Sequence, residues 1–444
     1  MSVFKVPIQY LPQPRKIVLK LLEDSEPYIV LLESGTEFSE RSRYTIVAWG
    51  SRQDVVIWPD DSQCNAYREL KDLLKQTESD IKPFGTQPAV GYLSYEANTI
   101  VEPYLRDYVK DWGKWPLIEL RIPECVIIYD RLLGRAYVRG ISLQDLRSIC
   151  RDIPPLSSMH FKVGDVVSEV PKNRYIEWVS DSLNKIRDGE IFQIVLSRYI
   201  DVEYSGEPYL VYLHLAKINP SPYQFYIKFE NRYIVGSSPE LLVGVRDDKV
   251  ETYPIAGTRP RGSTPEEDLK LEEELLHSEK DFAEHIMLVD LARNDIGKIC
   301  RYGTVKVTDL MFIEKYSHVQ HLVTRVEGIL MPGKDIVDAL FATFPAGTVT
   351  GAPKPRAMEL IFYYEDRARG PYAGSVGIMS RRGGEFAITI RSYYAMNGVL
   401  TMQAGAGIVY DSVPELEYME TEHKLAALKK ALEQVSKVNY SKGE

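Results

Sequence analysis

Asp281 and Glu284 stand three residues apart in Ser278-Glu279-Lys280-Asp281-Phe282-Ala283-Glu284-His285, and Glu417 and Glu420 repeat that spacing near the C-terminus. An i,i+3 pair shares one face of a helix. Two such helices brought together would offer hard carboxylate oxygens to Mg²⁺. On spacing alone the commoner reading of each pair is a solvated helix face. The run Ile286-Met287-Leu288-Val289-Asp290-Leu291 weighs against that for the first pair, because acids leading into so apolar a helix need a partner or a cation.

Three glycine-rich turns could receive an anion. Pro254-Ile255-Ala256-Gly257-Thr258-Arg259-Pro260-Arg261-Gly262 follows an expected strand, Pro345-Ala346-Gly347-Thr348-Val349-Thr350-Gly351-Ala352-Pro353-Lys354 precedes a helix, and Gln403-Ala404-Gly405-Ala406-Gly407 ends a strand. Each presents backbone N–H groups without Cβ obstruction, with hydroxyls alongside, which suits a carboxylate. Each is as readily a plain turn or bulge. None has the spacing of a phosphate-binding P-loop.

Cationic and aromatic residues lie near those turns. Arg391, in Ile388-Thr389-Ile390-Arg391-Ser392, is expected inside an apolar strand, where a guanidinium has to face a partner or a pocket. Tyr372 stands where the chain enters the same sheet, though it is one of 29 tyrosines and core packing would also explain it. His321 begins an apolar strand, a place where histidine is more often structural than catalytic.

The elements that must position these residues read as α+β. β-branched and aromatic runs predict strands at 28–34, 44–50, 55–59, 89–95 and 126–130, with one amphipathic helix near 65–76. Residues 152–173 carry Pro154-Pro155, Ser157-Ser158, Gly164 and Pro171 and read as a linker between residues 1–160 and 161–444. Asn173 then suits the cap of a helix that Gly189 closes. Further strands are expected at 191–199, 225–229 and 233–237, with a hairpin of 241–245 and 250–253. A long helical segment covers 266–296. Strands 374–380, 386–394 and 399–404 make a three-strand meander turning at Arg382-Gly383-Gly384 and Asn397-Gly398, and a helix over 414–435 closes the chain.

The 444 residues carry 54 Lys plus Arg against 63 Asp plus Glu, a formal charge of −9, which argues against nucleic acid as a partner. No run of about 18 apolar residues is present, so no membrane span is expected. Met1-Ser2-Val3-Phe4-Lys5-Val6-Pro7 lacks the charged head and apolar stretch of a secretion signal, and a cytoplasmic protein is expected. Cys64, Cys125, Cys150 and Cys300 are scattered singly; buried thiols fit better than a disulfide framework or a nucleophile.

Together these segments resemble the chorismate-utilising enzymes and, within them, the large subunits of anthranilate synthases. The matching stretches are 254–261, Asp290-Leu291-Ala292-Arg293-Asn294-Asp295, 345–354, 370–377 and 403–422, in order through the second half. Leu31-Leu32-Glu33-Ser34 and Asn219-Pro220-Ser221-Pro222-Tyr223 precede them. The resemblance implies a layered α/β/β/α sandwich of two interwoven lobes with large, mainly antiparallel sheets. It implies Mg²⁺ on Glu284 and Glu420, supported by Asp281 and Glu417. Backbone at Gly257, Thr258, Gly405, Ala406 and Gly407 would contact chorismate, and Tyr372 with Arg391 would hold the enolpyruvyl carboxylate. His321 would be the acid that assists loss of the ring hydroxyl, with Thr348 and Lys354 lining the pocket.

Two positions separate the relatives by nucleophile. Aminodeoxychorismate synthases carry a nucleophilic lysine where this chain has Ala256, and isochorismate and salicylate synthases carry a water-activating lysine where it has Gln193. A glutamine amide is not a base. Free ammonia, and hence anthranilate with pyruvate as products, is the reaction the resemblance implies. It also implies a glutamine amidotransferase partner in a hetero-oligomer, a heterotetramer. Feedback inhibition by L-tryptophan would act through Ser34, Pro222, Tyr223 and Gln224. An aminodeoxychorismate synthase with another nucleophile, or a non-catalytic tryptophan-binding regulator, would be the alternatives.

Overall fold

The computed structural model describes residues 3–35, 43–61, 63–77, 84–151, 153–316 and 319–437. Short apolar strands pair antiparallel throughout, as hairpins and returning connections require. The larger sheet has twelve strands. Its order runs Phe4–Pro7, Arg135–Arg139, Cys125–Asp130, Tyr44–Trp49, Tyr28–Glu33, Tyr223–Phe229, Arg232–Ser238, Ser392–Met396, Val399–Ile408, Gln193–Gly206 and Gly351–Ala352, with Phe161–Glu169 also paired to Gln193–Gly206. The smaller has ten: Ile255–Pro260, Val319–Ile329, Lys249–Thr252, Leu241–Arg246, Gly383–Ile388, Ser375–Ser380, Ala89–Leu93, Ile118–Ile122 and Gln53–Ile57, with Lys306–Lys315 on the other side of Val319–Ile329.

The two sheets lie face to face, and strand alternation sorts side chains between two cores. Val30 joins Ile46, Tyr92, Leu120, Val243 and Val376 between the sheets. Its neighbours Ile29 and Leu31 face the other way, onto the helices Pro14–Glu23, Tyr209–Ile218 and Pro414–Lys437. Each fully buried Leu or Ile contributes roughly 1.5–3 kcal/mol. Helices Ala66–Gln76, Glu279–Gly297 and Ile336–Thr343 pack against the smaller sheet, completing an α/β/β/α sandwich. Strands from both ends of the chain occur in both sheets.

Several expected elements take another form. The meander does not exist as three neighbouring strands. Ser375–Ser380 and Gly383–Ile388 form a hairpin in the smaller sheet, Ser392–Met396 and Val399–Ile408 one in the larger, and 389–391 cross between them. Arg391 is therefore not inside a strand. It sits in this crossing with φ +53°.

The long helical segment is two helices, Pro265–Leu276 and Glu279–Gly297. Thr264 and Ser278 each cap one by accepting a backbone N–H, from Glu267 and Asp281. Helix Lys172–Arg187 starts behind Pro171, with Asn173 already inside it. The expected linker holds the strand Phe161–Glu169; Asp152 lies outside the described residues. Helices Pro14–Glu23 and Leu143–Arg151 were not expected. Cys300 is buried and Cys125 partly buried, both as free thiols that burial pushes up to a pKa of about 11. Among the described residues no helix is long and apolar enough to cross a membrane.

Candidate active site

Glu284 follows the Ser278 cap by less than two turns, and its Oε1 accepts a hydrogen bond from Gln193 Nε2 at 2.9 Å. Strand Gln193–Gly206 carries that glutamine beside Val399–Ile408, pairing Val195 with Gly407, Leu196 with Ala406 and Ser197 with Gly405. Gly407 leaves room at the junction: a Cβ there would stand 2.9 Å from Gln193 Nε2 and 3.6 Å from Glu284 Oε1. The expected acid and glycine motifs thus meet.

Helix Pro414–Lys437 brings the second acidic pair. Burial raises the Glu284 carboxyl, and the charge of Glu420 raises it further. Glu420, its side chain still 47% exposed, stays below the ordinary carboxylate value: partial desolvation pushes it up, but Lys424, whose Nζ lies 2.6 Å from its Oε1, and Arg391 outweigh that. Burial also raises Glu417, which is 7% exposed. Asp281 turns to Arg259 instead, 2.9 Å from Nη2.

Among the described residues no three His, Cys, Asp or Glu converge as a metal cage. The donors nevertheless fit Mg²⁺, which takes one or two carboxylates and fills its remaining positions with water and substrate. A cation there would relieve the crowding of Glu284 by Glu420.

His321 stands opposite Thr258 in the pairing of Val319–Ile329 with Ile255–Pro260. Its Nδ1 lies 3.2 Å from the Gly257 carbonyl and 3.0 Å from Thr258 Oγ1. A carbonyl oxygen only accepts, so Nδ1 carries the proton and Nε2 is the acceptor. Burial lowers this imidazole to about 4, and Arg391 and Lys424 act in the same sense. Burial thus opposes the protonated form that an acid role for His321 requires. Gly257 bulges at φ +62° beneath it, where a Cβ would meet Leu275 Cδ1 at 2.8 Å.

Tyr372 is 3% exposed, and burial pushes its phenol up to about 12. A Cβ at Gly405 would come 3.1 Å from its hydroxyl, so the tyrosine closes over the glycine strand. The Arg391 guanidinium is near enough to Tyr372 and to the Glu420 carboxylate to interact electrostatically with both, and it makes no ion pair among the described residues. A cation so placed suits a carboxylate ligand.

Lys354 does not join this group. Its ammonium pairs with Asp295 and donates to the Thr343 carbonyl at 2.9 Å, bracing the turn 345–353 from behind. Thr348 does border the site, lining a cavity with Glu240, Pro254, Leu288 and Gly347.

Two residues escaped the sequence reading. Burial raises Glu240 to about 8, against which Thr348 and the Ile255 backbone act only in part, so its carboxyl is mostly protonated at neutral pH. Its signal was an acid heading the wholly apolar Leu241-Leu242-Val243. Lys424, one turn beyond Glu420, donates to the Gly405 carbonyl at 2.8 Å. Its charge reaches Glu240, Glu284, Glu417 and His321, which sets it among them.

A second cavity, of about 70 Å³, opens between the sheets and is lined by Glu33, Tyr44, Pro222, Tyr223, Gln224 and Arg246, among others. Ser34, next to Glu33 in the chain, is not among the residues that line it. Gln224 pairs in register with Glu33 and donates Nε2 to the Ala216 carbonyl at 3.0 Å.

This double-sheet sandwich, with acids, arginine and glycine backbone gathered beside it, is the architecture of the chorismate binding enzymes, whose family model matches residues 27–430; the chain belongs to that family. Its relatives include the anthranilate synthase component 1 of Saccharolobus solfataricus, 50% identical over 94% of this chain and 96% of that protein. The component 1 of Aeropyrum pernix is 44% identical over 96% and 95%. The crystal structure of anthranilate synthase component I from Streptococcus pneumoniae superposes with a TM-score of 0.75 at 32% identity, covering 88% of this chain and 92% of that one.

Proposed function

We propose that this chain is the large component of an anthranilate synthase, converting chorismate and ammonia to anthranilate and pyruvate. The observation that carries the reading is the meeting of Glu284 and Glu420 from separate helices beside the cations Lys424 and Arg391. Chorismate is a dianion, and such a site can bind one carboxylate through a metal and another through a guanidinium. The relatives' names, anthranilate synthase component 1, support anthranilate as the product and a second component. Ala256 and Gln193 support it independently, since neither can serve as an amine nucleophile or a base.

In this reading Arg391 and Tyr372 fix the enolpyruvyl carboxylate, and the backbone at Gly257–Thr258 and Gly405–Gly407 shapes the walls. Glu284 and Glu420 would hold Mg²⁺, which would supply positive charge to a carboxylate of the substrate. Glu240, which lines the cavity beside Thr348 and whose carboxyl burial raises to about 8, takes the acid role that the resemblance gave to His321. The nitrogen lone pair bonds to the ring carbon next to the carboxyl-bearing one, the two ring double bonds shift, and the bond to the ring hydroxyl breaks. The proton of Glu240 goes to that oxygen, which leaves as water, and the nitrogen sheds its surplus proton to solvent; such acid assistance is worth on the order of 10²–10⁴-fold. Loss of the proton on the nitrogen-bearing ring carbon then breaks the enolpyruvyl C–O bond, and the enol takes up a proton as pyruvate, leaving the aromatic ring of anthranilate. His321, neutral and bonded to Gly257 and Thr258, orients the turn.

Glutamine would be hydrolysed on a partner amidotransferase in a hetero-oligomer, and L-tryptophan would inhibit from the cavity lined by residues 222–224 and by Glu33, the neighbour of Ser34. The test is the isolated chain with chorismate, MgCl₂ and an ammonium salt. Anthranilate, identified by fluorescence and chromatography against the para isomer, is the expected product; a folded chain that makes none overturns the proposal.

A further inference from the structure

We propose that Lys354 and Asp295 form a proton relay that reloads Glu240 between turnovers through the cavity they share, an inference that rests on the acid role proposed above. That cavity measures about 30 Å³, and Glu240, Thr348, Thr343 and Asp295 all stand in its wall. Lys354 Nζ lies 2.5 Å from Asp295 Oδ2 and donates to the Thr343 carbonyl at 2.9 Å, so both its partners belong to that wall. Asp295 Oδ1 meets Lys298 Nζ at 3.2 Å, and the Lys298 side chain is 56% exposed. Charged groups therefore lead from the surface to the space beside Glu240. About 30 Å³ is room for roughly two water molecules, and the wall supplies the polar partners they need. Thr348 Oγ1 is buried and close enough to act on the Glu240 carboxyl, yet it makes no hydrogen bond of good geometry among the described residues. A water in the cavity would satisfy it.

Once its proton has gone to the leaving hydroxyl, Glu240 is a carboxylate only 6% exposed, and it must be protonated again before the next turnover. A cavity water gives that carboxylate a proton and takes one from the Lys354 ammonium. The lysine amine then recovers a proton from solvent through the Asp295 carboxylate beside Lys298. In each transfer one N–H or O–H bond breaks as another forms. The net is one proton drawn from solvent, which balances the one that the ring nitrogen releases. Burial lowers Lys354 against the pull of Asp295, and burial raises Glu240, so the two proton affinities approach each other and transfer between them is eased. A lysine that only braced the turn 345–353 would have no use for a water-sized space shared with an acid.

The test compares the first turnover with the steady state on the full chain, with MgCl₂, ammonium chloride and chorismate, following anthranilate by rapid-mixing fluorescence. The first turnover uses the proton already on Glu240, and every later one needs the relay. Lys354→Met keeps the length and removes the proton carrier. With enzyme in excess its single-turnover rate should stay within ~2-fold of the unsubstituted chain, while kcat falls ~10-fold or more and a burst appears. Ala292→Val leaves the Lys354–Asp295 pair intact and adds two methyl groups to the cavity wall, displacing water. It should give the same burst, and it carries the test if the methionine variant does not fold. Single-turnover and steady-state rates that fall together in a folded variant mark a merely structural role and overturn the relay alone, as does a kcat within ~2-fold in both variants. A Glu240→Gln chain with a normal first turnover overturns the acid role on which the relay rests. An unsubstituted chain that makes no anthranilate overturns the proposed reaction itself.

Discussion

Ser237 donates its backbone N–H to the carbonyl oxygen of Arg391 at 3.1 Å. The same serine accepts a hydrogen bond at Oγ from Gln224 Nε2 at 3.5 Å and donates that hydroxyl to the Asn219 carbonyl. One residue therefore joins the wall of the cavity between the sheets to the backbone of Arg391, whose guanidinium is proposed to hold chorismate. A ligand that moved Gln224 would pull on the crossing that sets Arg391.

Ser237→Ala keeps the backbone bond to Arg391 and deletes the hydroxyl link. Chorismate KM should stay within ~2-fold while the tryptophan concentration for half-inhibition rises ~5- to 10-fold, the scale of a modest allosteric coupling. Ser34→Ala should act in the same direction while sparing catalysis. Inhibition curves with and without each substitution decide it, and unchanged sensitivity in both counts against this cavity as the regulatory site.

Glu420 has a side chain 47% exposed on a helix surface, so Glu420→Gln should leave the melting temperature nearly unchanged. Turnover should nevertheless fall on the order of 10²-fold or more, the scale for losing one charge-stabilising group. Rate against Mg²⁺ concentration is the measurement, and near-normal turnover would refute the ligand role.

The Glu240 carboxyl, raised by burial from 4.5 to about 8, must keep its proton to act as an acid. kcat/KM, expressed per unprotonated ammonia, should therefore fall as pH rises through about 8. Because folding favours the protonated form, the carboxyl costs no stability below 4.5 and progressively more as pH rises to 8. Glu240→Gln should slow turnover roughly 10²–10⁴-fold. It should also abolish that part of the stability slope, which urea unfolding at several pH values would read.

Burial lowers both His285 and His321 from 6.5 to about 4. The unfolded chain takes up these protons near 6.5 and the folded chain only near 4. Stability from keeping them neutral is thus complete above 6.5 and lost as pH falls toward 4. His285, whose Nε2 lies 2.6 Å from Thr324 Oγ1, is the cleaner probe: His285→Gln should flatten part of the acid limb of the unfolding curve.

What the sequence revealed about this site was local. Acids three apart and glycine turns announce themselves because their chemistry sits within a few residues, and the α+β class followed from strands joined by short turns. The crossing at 389–391 was hidden, since 374–380 and 386–394 are apolar on both faces and read alike whichever sheet receives them. The break between Leu276 and Glu279 was written in Ser278, a cap overlooked inside a continuous apolar pattern. The pairing of Lys354 with Asp295 and the protonation of Glu240 were not legible at all, because both depend on burial by segments distant along the chain.

The interleaved strands bear on synthesis as well as on catalysis. Tyr28–Glu33 finds its partner in Tyr223–Phe229, and Ala89–Leu93 pairs with Ser375–Ser380. A nascent polypeptide must therefore hold open, apolar strand edges through most of its translation before either layer can close. Assembly late on or after the ribosome, with chaperones shielding those edges, is the expected route for such a topology.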